Sequence, residues 1–179
     1  MKIGNVKVQA QPQTLIIMGV AGSGKSTVGK LLAAELNYLF LEGDDFHSDE
    51  AKAMMASGTP LRSDLRQEWV DRLAVTLMQH AATDKPCVLS YSGLIASQRQ
   101  QLREAGSQTR FIYLQGSAEL LAARLAERSG HYMPASLLQS QLDSMQNSSS
   151  EVDVQPFSID QEPAALLQQI LHWLKPPGT

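Results

Sequence analysis

Short apolar segments alternate with amphipathic segments along most of the chain. Apolar runs of roughly four to eight residues indicate strands buried in a parallel sheet, whereas apolar residues three and four apart indicate helices. Thr14-Leu15-Ile16-Ile17-Met18 is the clearest of these runs. The pattern predicts strands at residues 14–18, 38–41, 86–91, 110–114 and 152–159. It predicts helices at residues 25–37, 49–57, 64–82, 97–104, 118–128, 134–145 and 163–174.

This alternation predicts one α/β domain over residues 14–174, with a five-stranded parallel sheet and helices on both of its faces. A chain of 179 residues suits a single domain of this kind. Residues 1–13 are polar and aperiodic, so we expect them to form a flexible leader. Residues 175–179 are expected to form a tail.

Composition excludes several classes of protein. The formal net charge is −3, and 43% of the residues are hydrophobic. The mild acidity argues against nucleic acid as the main partner. No apolar stretch approaches the roughly 18 residues of a transmembrane helix, and the N-terminus lacks the apolar region of a signal peptide. We therefore expect a cytoplasmic protein with no membrane or nucleic-acid partner, in which the single cysteine, Cys87, is a buried apolar residue.

The first strand is followed by a phosphate-binding motif. Residues 19–26 fit the pattern G-x-x-x-x-G-K-[ST] at every position. Its glycines allow backbone amides to point at phosphate oxygens, its lysine supplies a positive charge, and its serine hydroxyl is a ligand for Mg²⁺. The predicted ATP-binding residues are Gly19, Ala21, Gly22, Ser23, Gly24, Lys25, Ser26 and Thr27, with Ser26 as the metal ligand.

The rest of the chain narrows the class of P-loop protein. A GTPase would carry an N-K-x-D motif for its base, and this motif is absent from the sequence. The chain is also much shorter than motor and transport ATPases. The P-loop therefore favours a small nucleoside or metabolite kinase.

Candidate acceptor residues follow the second strand, in Glu42-Gly43-Asp44-Asp45-Phe46-His47. Strand carboxyl ends face the ligand crevice in open α/β sheets, and a carboxylate there can take the proton of an attacking hydroxyl. Asp44 is the candidate, and the alternative is an ordinary capping or loop aspartate. His47 is either a substrate ligand or a packing residue.

Four arginines are further candidates. Arg124 and Arg128 lie four residues apart before a break at residues 130–134, so they could offset charge on the transferred phosphoryl group or form a solvated helix face. Arg66, together with Arg62, could clamp a substrate carboxylate or be surface charge.

Together these motifs resemble those of small P-loop gluconokinases, which transfer the γ-phosphoryl group of ATP to the 6-hydroxyl of gluconate. The resemblance runs from about residue 14 to residue 174. Besides the P-loop, the matching elements are Leu41-Glu42-Gly43-Asp44-x-x-His47, the segment 55–61, Arg66 with Trp69, the segment 111–116, Arg124-x-x-x-Arg128-x-x-His131-Tyr132 and Leu137-Leu138-x-Ser140-Gln141.

The resemblance implies an adenylate-kinase-like fold with a lid at about residues 128–134 and an acceptor-binding helical insert at about residues 49–82. It implies ATP and Mg²⁺ as cofactors, a small sugar acid or polyol as the other substrate, and a homodimer. The implied catalytic residues are Lys25, Asp44, Arg124 and Arg128. The implied substrate-binding residues are Asp44, His47, Arg66 and His131.

Three departures from the family pattern fall in its acceptor pocket. Ser63 and Leu65 stand where the family has aspartates, and Ile95 stands where it has a lysine. They leave three functions open: a gluconate kinase, a kinase for another small hydroxylated acceptor, or a weakly active nucleotide-binding relative. A complete set of phosphate-binding and catalytic side chains favours an enzyme.

Overall fold

The computed structural model describes residues 12–127 and 135–175. Within these ranges seven α-helices surround five strands, as the sequence pattern predicts. The strands are β1 (Thr14–Met18), β2 (Leu39–Glu42), β3 (Cys87–Tyr91), β4 (Arg110–Gln115) and β5 (Val154–Ser158). The helices are α1 (Lys25–Leu36), α2 (Asp49–Ala56), α3 (Ser63–Ala82), α4 (Ala96–Ala105), α5 (Ala118–Glu127), α6 (Ala135–Ser144) and α7 (Pro163–Leu174).

The five strands form one parallel sheet in the order β2-β3-β1-β4-β5. β1 lies at the centre, with Thr14 opposite Cys87 on one side and Leu15 opposite Arg110 on the other. Because all strands run the same way, their carboxyl ends meet at one edge of the sheet. The segments that leave this edge therefore face a common crevice.

Two hydrophobic cores lie on opposite faces of the sheet. Alternate residues of β1 point to opposite sides, so Leu15 and Ile17 pack in one core and Ile16 and Met18 in the other. The first core contains buried residues of α1, α5, α6 and α7, and the second contains those of α3 and α4. Every residue of β1 is buried, which explains why its sequence is apolar after Thr14.

The observed boundaries differ from the predicted ones by one or two residues. α1 ends because Asn37 adopts a left-handed conformation with φ of 56°, which delays β2 to Leu39. β5 starts at Val154 rather than at residue 152, because Val152 is fully exposed and lies outside the sheet. The predicted insert contains α2 and α3, joined by residues 57–62.

The predicted lid at residues 128–134 lies outside the described residues, as do most of the leader and the tail. In the part of the chain that the structure describes, no helix combines the length and apolar character needed to cross a bilayer.

Candidate active site

The P-loop leaves β1 at the centre of the crevice. Gly22 and Gly24 have φ of 82° and 92°, a left-handed conformation that suits glycine and turns the backbone toward α1. α1 begins at Lys25, and no described side chain caps its first amides. Its first turn also contains no acidic residue. These amides and the positive end of the helix are therefore available to an anion.

Space for a phosphate is present at the turn into the helix. A Cβ built on Gly24 would meet no described atom within 4 Å, whereas one built on Gly22 would lie 2.9 Å from Leu125 Cγ. α5 thus packs against one side of the P-loop and leaves the Gly24 side open. The Lys25 ammonium lies across the loop and donates to Val20 O at 3.0 Å. This arrangement fits the phosphates of a nucleotide.

A short 3-10 helix, Gly43–Phe46, follows β2. We call this helix, together with the flanking residues Glu42 and His47, the β2 turn. Contacts from distant elements hold it in place. Ser90 Oγ accepts from the Gly43 amide at 3.2 Å and donates to Glu42, and Trp69 Nε1 donates to Gly43 O at 2.6 Å. Gly43 lies so close to the Ser90 carbonyl that no side chain fits there.

Asp44 projects from this turn into solvent, with 80% of its side chain exposed. It follows the carboxyl end of β2, which lies two strands from β1 in the sheet. Asp44 therefore faces the same crevice as the P-loop. A carboxylate held here is accessible to a small molecule in that crevice.

His47, by contrast, is buried. Its ring stacks on Trp69 with 4.0 Å between ring centroids, and its Nε2 lies 3.9 Å from Asp44 Oδ1. Burial, followed by the charges of Lys52 and Arg72, lowers the pKa of His47 to about 4. The imidazole is therefore neutral at pH 7. Its buried Nδ1 has no hydrogen-bond partner among the described residues.

Trp69 has a larger role than its apolar helical position indicates. It is buried as predicted, but it also binds the β2 turn, stacks on His47 and contacts Tyr91 at 5.1 Å between centroids. A buried indole N–H requires a hydrogen-bond acceptor. The sequence could therefore have indicated that Trp69 binds a polar group as well as packing in the core. The acceptor itself, Gly43 O, becomes known only from the fold.

Tyr91 continues this group of aromatic side chains beneath the crevice. Burial raises the pKa of Tyr91, while the positive charges of Arg66 and Arg99 work against the shift. Its hydroxyl lies 3.3 Å from Gln98 Oε1. The charge of Arg66 thus acts on Tyr91, which packs against the same Trp69 ring on which His47 stacks.

Arg62 does not pair with Arg66 as a clamp. Its guanidinium contacts Glu50 at 3.0 Å and Asp64 at 3.1 Å, and all three side chains are largely exposed. Its positive charge is balanced by these two carboxylates, so the surface-charge alternative holds for Arg62.

The three departures from the family pattern have different surroundings. Ser63 is exposed, Leu65 is buried, and Ile95 packs against the first hydrophobic core. Leu65 and Ile95 therefore contribute apolar packing beside the crevice.

Arg124 lies on α5, the helix that packs against Gly22. Its Nη2 donates to Ile159 O, just beyond β5, at 2.6 Å. The guanidinium is thus held at the carboxyl end of β5, on a helix that contacts the P-loop at Gly22. Arg128 and His131 lie outside the described residues.

A cavity of about 460 Å³ lies on the other side of the P-loop from Asp44. It is lined by residues at the ends of β4 and β5 and by neighbouring apolar side chains, among them Tyr113, Gly116, Leu142, Ser158 and Val20. The crevice therefore has room for part of a ligand on the β4 and β5 side of the phosphate-binding loop.

Among the described residues no group of three or more His, Cys, Asp or Glu side chains could hold a metal ion by itself. Mg²⁺ needs no such cluster when a nucleotide supplies phosphate oxygens, because it keeps several waters and takes few protein ligands. The half-buried Ser26 hydroxyl at the start of α1 is a suitable protein ligand.

Comparison with known proteins places this architecture in a family. A family described as an AAA domain matches residues 15–151. A probable gluconokinase of Mus musculus is 35% identical over 92% of this chain and 98% of its own length. The thermoresistant gluconokinase of Escherichia coli is 36% identical over 82% of this chain and 84% of its own.

The fold agrees with the sequence. The crystal structure of a gluconokinase from Sinorhizobium meliloti 1021 superposes with a TM-score of 0.83 at 37% identity, covering 91% of each chain. The resemblance noted in the sequence and the α/β P-loop kinase fold are both confirmed, and the chain belongs to the gluconokinase family.

Proposed function

We propose that this protein is a kinase that transfers the γ-phosphoryl group of Mg²⁺-bound ATP to a hydroxyl of a small sugar acid, namely D-gluconate. One observation supports this most directly. An open P-loop on β1 and an accessible carboxylate, Asp44, after β2 face the same crevice. The gluconokinase names of its relatives supply the acceptor.

The nucleotide has a defined position in this proposal. Its β- and γ-phosphates lie on the amides of residues 24–27, where the N-terminus of α1 and the Lys25 ammonium offset their charge. The amides of Gly19 and Ala21 shape the loop instead, because they already donate to Ser92 O and Gln141 Oε1. Its base is assigned to the cavity beside β4 and β5, since the acceptor is assigned to the opposite side of the P-loop, next to β2. Ser26 holds Mg²⁺, which neutralises developing charge on the phosphate oxygens when bound.

The acceptor occupies the β2 side of the crevice. Asp44 orients the attacking hydroxyl and takes its proton. Because burial keeps His47 neutral at pH 7, it is assigned to the acceptor side as a hydrogen-bonding group rather than a charge. The carboxylate of the acceptor is assigned to Arg66, since Arg62 is already paired with Glu50 and Asp64.

The remaining residues act on the transferred group. Arg124, held beside the P-loop, and Arg128 stabilise the charge that spreads over the γ-oxygens. His131 and the rest of the segment 128–134 are assigned to the acceptor side and the lid, on the resemblance alone.

The proposal is tested by a coupled assay of ADP release with Mg²⁺-ATP and a panel of acceptors. The panel contains gluconate, other aldonic acids, keto-acids, neutral polyols and shikimate. The expected result is turnover with gluconate that exceeds every other acceptor. A neutral polyol as the best acceptor would replace the proposed substrate class. ADP release that no acceptor increases would contradict the assignment as a kinase of this kind.

A further inference from the structure

One segment of the chain contacts two of the loops that form the crevice. Residues 141–151, which we call the brace, run from the C-terminal half of α6 to the start of β5. At one end Gln141 Oε1 accepts from the Ala21 amide of the P-loop at 2.7 Å. These two residues are 120 positions apart, and no local sequence pattern relates them.

The middle of the brace binds the segment after β3, residues 92–95, which we call the β3 loop. The Gln146 amide donates to Leu94 O at 2.8 Å, and Gln146 Oε1 accepts from the Ala96 amide at 2.7 Å. The second contact caps the first turn of α4. The β3 loop is therefore fixed to the brace by its own backbone and by the helix that follows it.

Arg99 joins the β3 loop to the far end of the brace. Its side chain is completely buried. Nη1 donates to Gly93 O at 2.7 Å and lies 3.4 Å from Leu94 O, while Nη2 donates to Asn147 O at 3.3 Å and to Glu151 at 2.5 Å. Nε also donates to Glu151 at 3.0 Å.

These contacts use all three nitrogens of the guanidinium. A lysine has three donors on one nitrogen and cannot reach the β3 loop, Asn147 and Glu151 together. Burial raises the pKa of Glu151. The hydrogen bonds and charges of Arg99 and Arg103 lower this pKa by more than burial raises it, so the net shift is downward. The carboxylate therefore stays charged and binds Arg99 strongly.

Stability alone explains this arrangement poorly. A buried ion pair contributes little net stability, because desolvation offsets most of the attraction between the charges. What Arg99 adds is geometry, since it fixes two carbonyls of the β3 loop relative to the brace. The β3 loop lies between the P-loop and the β2 turn, because β3 lies between β1 and β2 in the sheet. It also accepts a hydrogen bond from the Gly19 amide, at 3.1 Å through Ser92 O.

We propose that the brace sets the separation between the nucleotide and the acceptor, with two positioning residues: Gln141, which binds the P-loop, and Arg99 of α4, which binds the far end of the brace to the β3 loop. This inference rests on the proposed kinase function. In-line transfer requires the reacting atoms to lie about 3–3.5 Å apart, and a displacement of about 1 Å can lower the rate on the order of a hundredfold. A rigid connection between the two loops meets that requirement.

The test compares Gln141→Leu and Arg99→Lys with matched controls. Gln139→Leu changes an exposed glutamine of the same helix that bonds only to Asp143. Arg103→Lys changes the second arginine on Glu151, which does not contact the β3 loop carbonyls. We expect each brace variant to lower kcat at least tenfold with the KM for ATP within twofold, and each control to retain kcat within twofold.

The double variant distinguishes one connected unit from two separate contacts. If the brace acts as a unit, Gln141→Leu combined with Arg99→Lys has a kcat close to that of the more impaired single variant. If the two effects multiply, the sites act independently and the inference is wrong. Equal losses of kcat in Arg99→Lys and Arg103→Lys would likewise contradict the inference, because they would mean that the two arginines on Glu151 only stabilise the fold.

A second readout does not require turnover. In hydrogen exchange of the ligand-free protein, Arg99→Lys should increase exchange in peptides covering residues 92–96 and also residues 19–23, whereas Arg103→Lys should change neither. An increase confined to residues 92–96 would contradict the connection to the P-loop. If the wild-type protein phosphorylates no sugar acid, the proposed function fails, and the exchange pattern still decides whether the brace connects the two loops.

Discussion

The P-loop and the β2 turn face the same crevice but are built in different ways. The P-loop takes its shape from consecutive residues, above all the left-handed conformations of Gly22 and Gly24. The β2 turn takes its shape from Trp69 and Ser90, which are 26 and 47 residues from Gly43. Gln141 and Ser92 contact the P-loop from outside, but they do not form its glycine turn. The shape of the P-loop can therefore be altered from within its own sequence, whereas the shape of the β2 turn depends on other elements.

The largest effect should come from the P-loop itself. In Lys25→Ala we expect phosphoryl transfer to fall below detection, because the variant loses the ammonium that offsets charge on the transferred group, a type of contact worth about 10²–10³ in rate even singly. The coupled ADP assay measures it. Lys30→Ala, on the same helix and lying over Phe40, is the control and should retain activity. Transfer by Lys25→Ala at the wild-type rate would contradict the assigned nucleotide site.

The second-largest effect should distinguish the acceptor side of the crevice from the nucleotide side. Asp44→Asn should lower kcat about a hundredfold, the range for loss of a general base, while the affinity for ATP stays within twofold. Steady-state kinetics and ATP titration measure the two quantities. Asp45→Asn removes the same charge from the neighbouring exposed position and should be near wild type. Full activity of Asp44→Asn would show that this carboxylate does not take the proton.

A smaller effect on the acceptor side is expected from a substitution in α3, at Trp69. Trp69→Phe keeps an aromatic ring against His47 but leaves the buried Gly43 carbonyl without its donor, at a cost of about 1–3 kcal/mol. We expect the KM for the acceptor to rise several-fold and the KM for ATP to stay constant. Trp173→Phe, on α7 against Phe157, should change neither constant. An equal rise in both Michaelis constants would mean that the two sides are not separable.

The smallest effect is a pH dependence of stability from His47. Its pKa is about 4 in the folded protein and about 6.5 in the unfolded chain, so the unfolded state binds the extra proton between these values. Stability from this group is complete above pH 6.5 and is lost as the pH falls toward 4. Thermal unfolding at several pH values should show a smaller loss over this range in His47→Phe than in wild type. His172→Gln, at an exposed position on α7, should follow wild type. Identical slopes in all three proteins would contradict the assignment.

The same contrast explains how much could be predicted from the sequence. The order and type of the elements follow from local patterns, and so does the P-loop, because its conformation depends on glycines within the motif. Val152 shows the limit of such patterns, since an apolar residue before β5 proved to be exposed.

Contacts between distant residues could not be predicted from local patterns. Arg62 was paired with Arg66 in the sequence hypothesis, but the fold brings Glu50 and Asp64 to its guanidinium. The indole of Trp69 and the amide of Gln141 each bind backbone groups that only the tertiary structure identifies. The roles assigned to Asp44, His47, Arg66 and Arg124 stay predictions.

The central position of β1 has a consequence for how the protein is made. β1 precedes both of its neighbours in the sequence, since it ends at Met18 and β3 and β4 begin at Cys87 and Arg110. Pairings between residues so far apart in sequence form late, because a long loop must close before they contribute. A growing chain therefore carries β1 unpaired until β3 has left the ribosome. Nucleotide binding by ribosome-bound chains of increasing length should accordingly begin only after β4 has emerged.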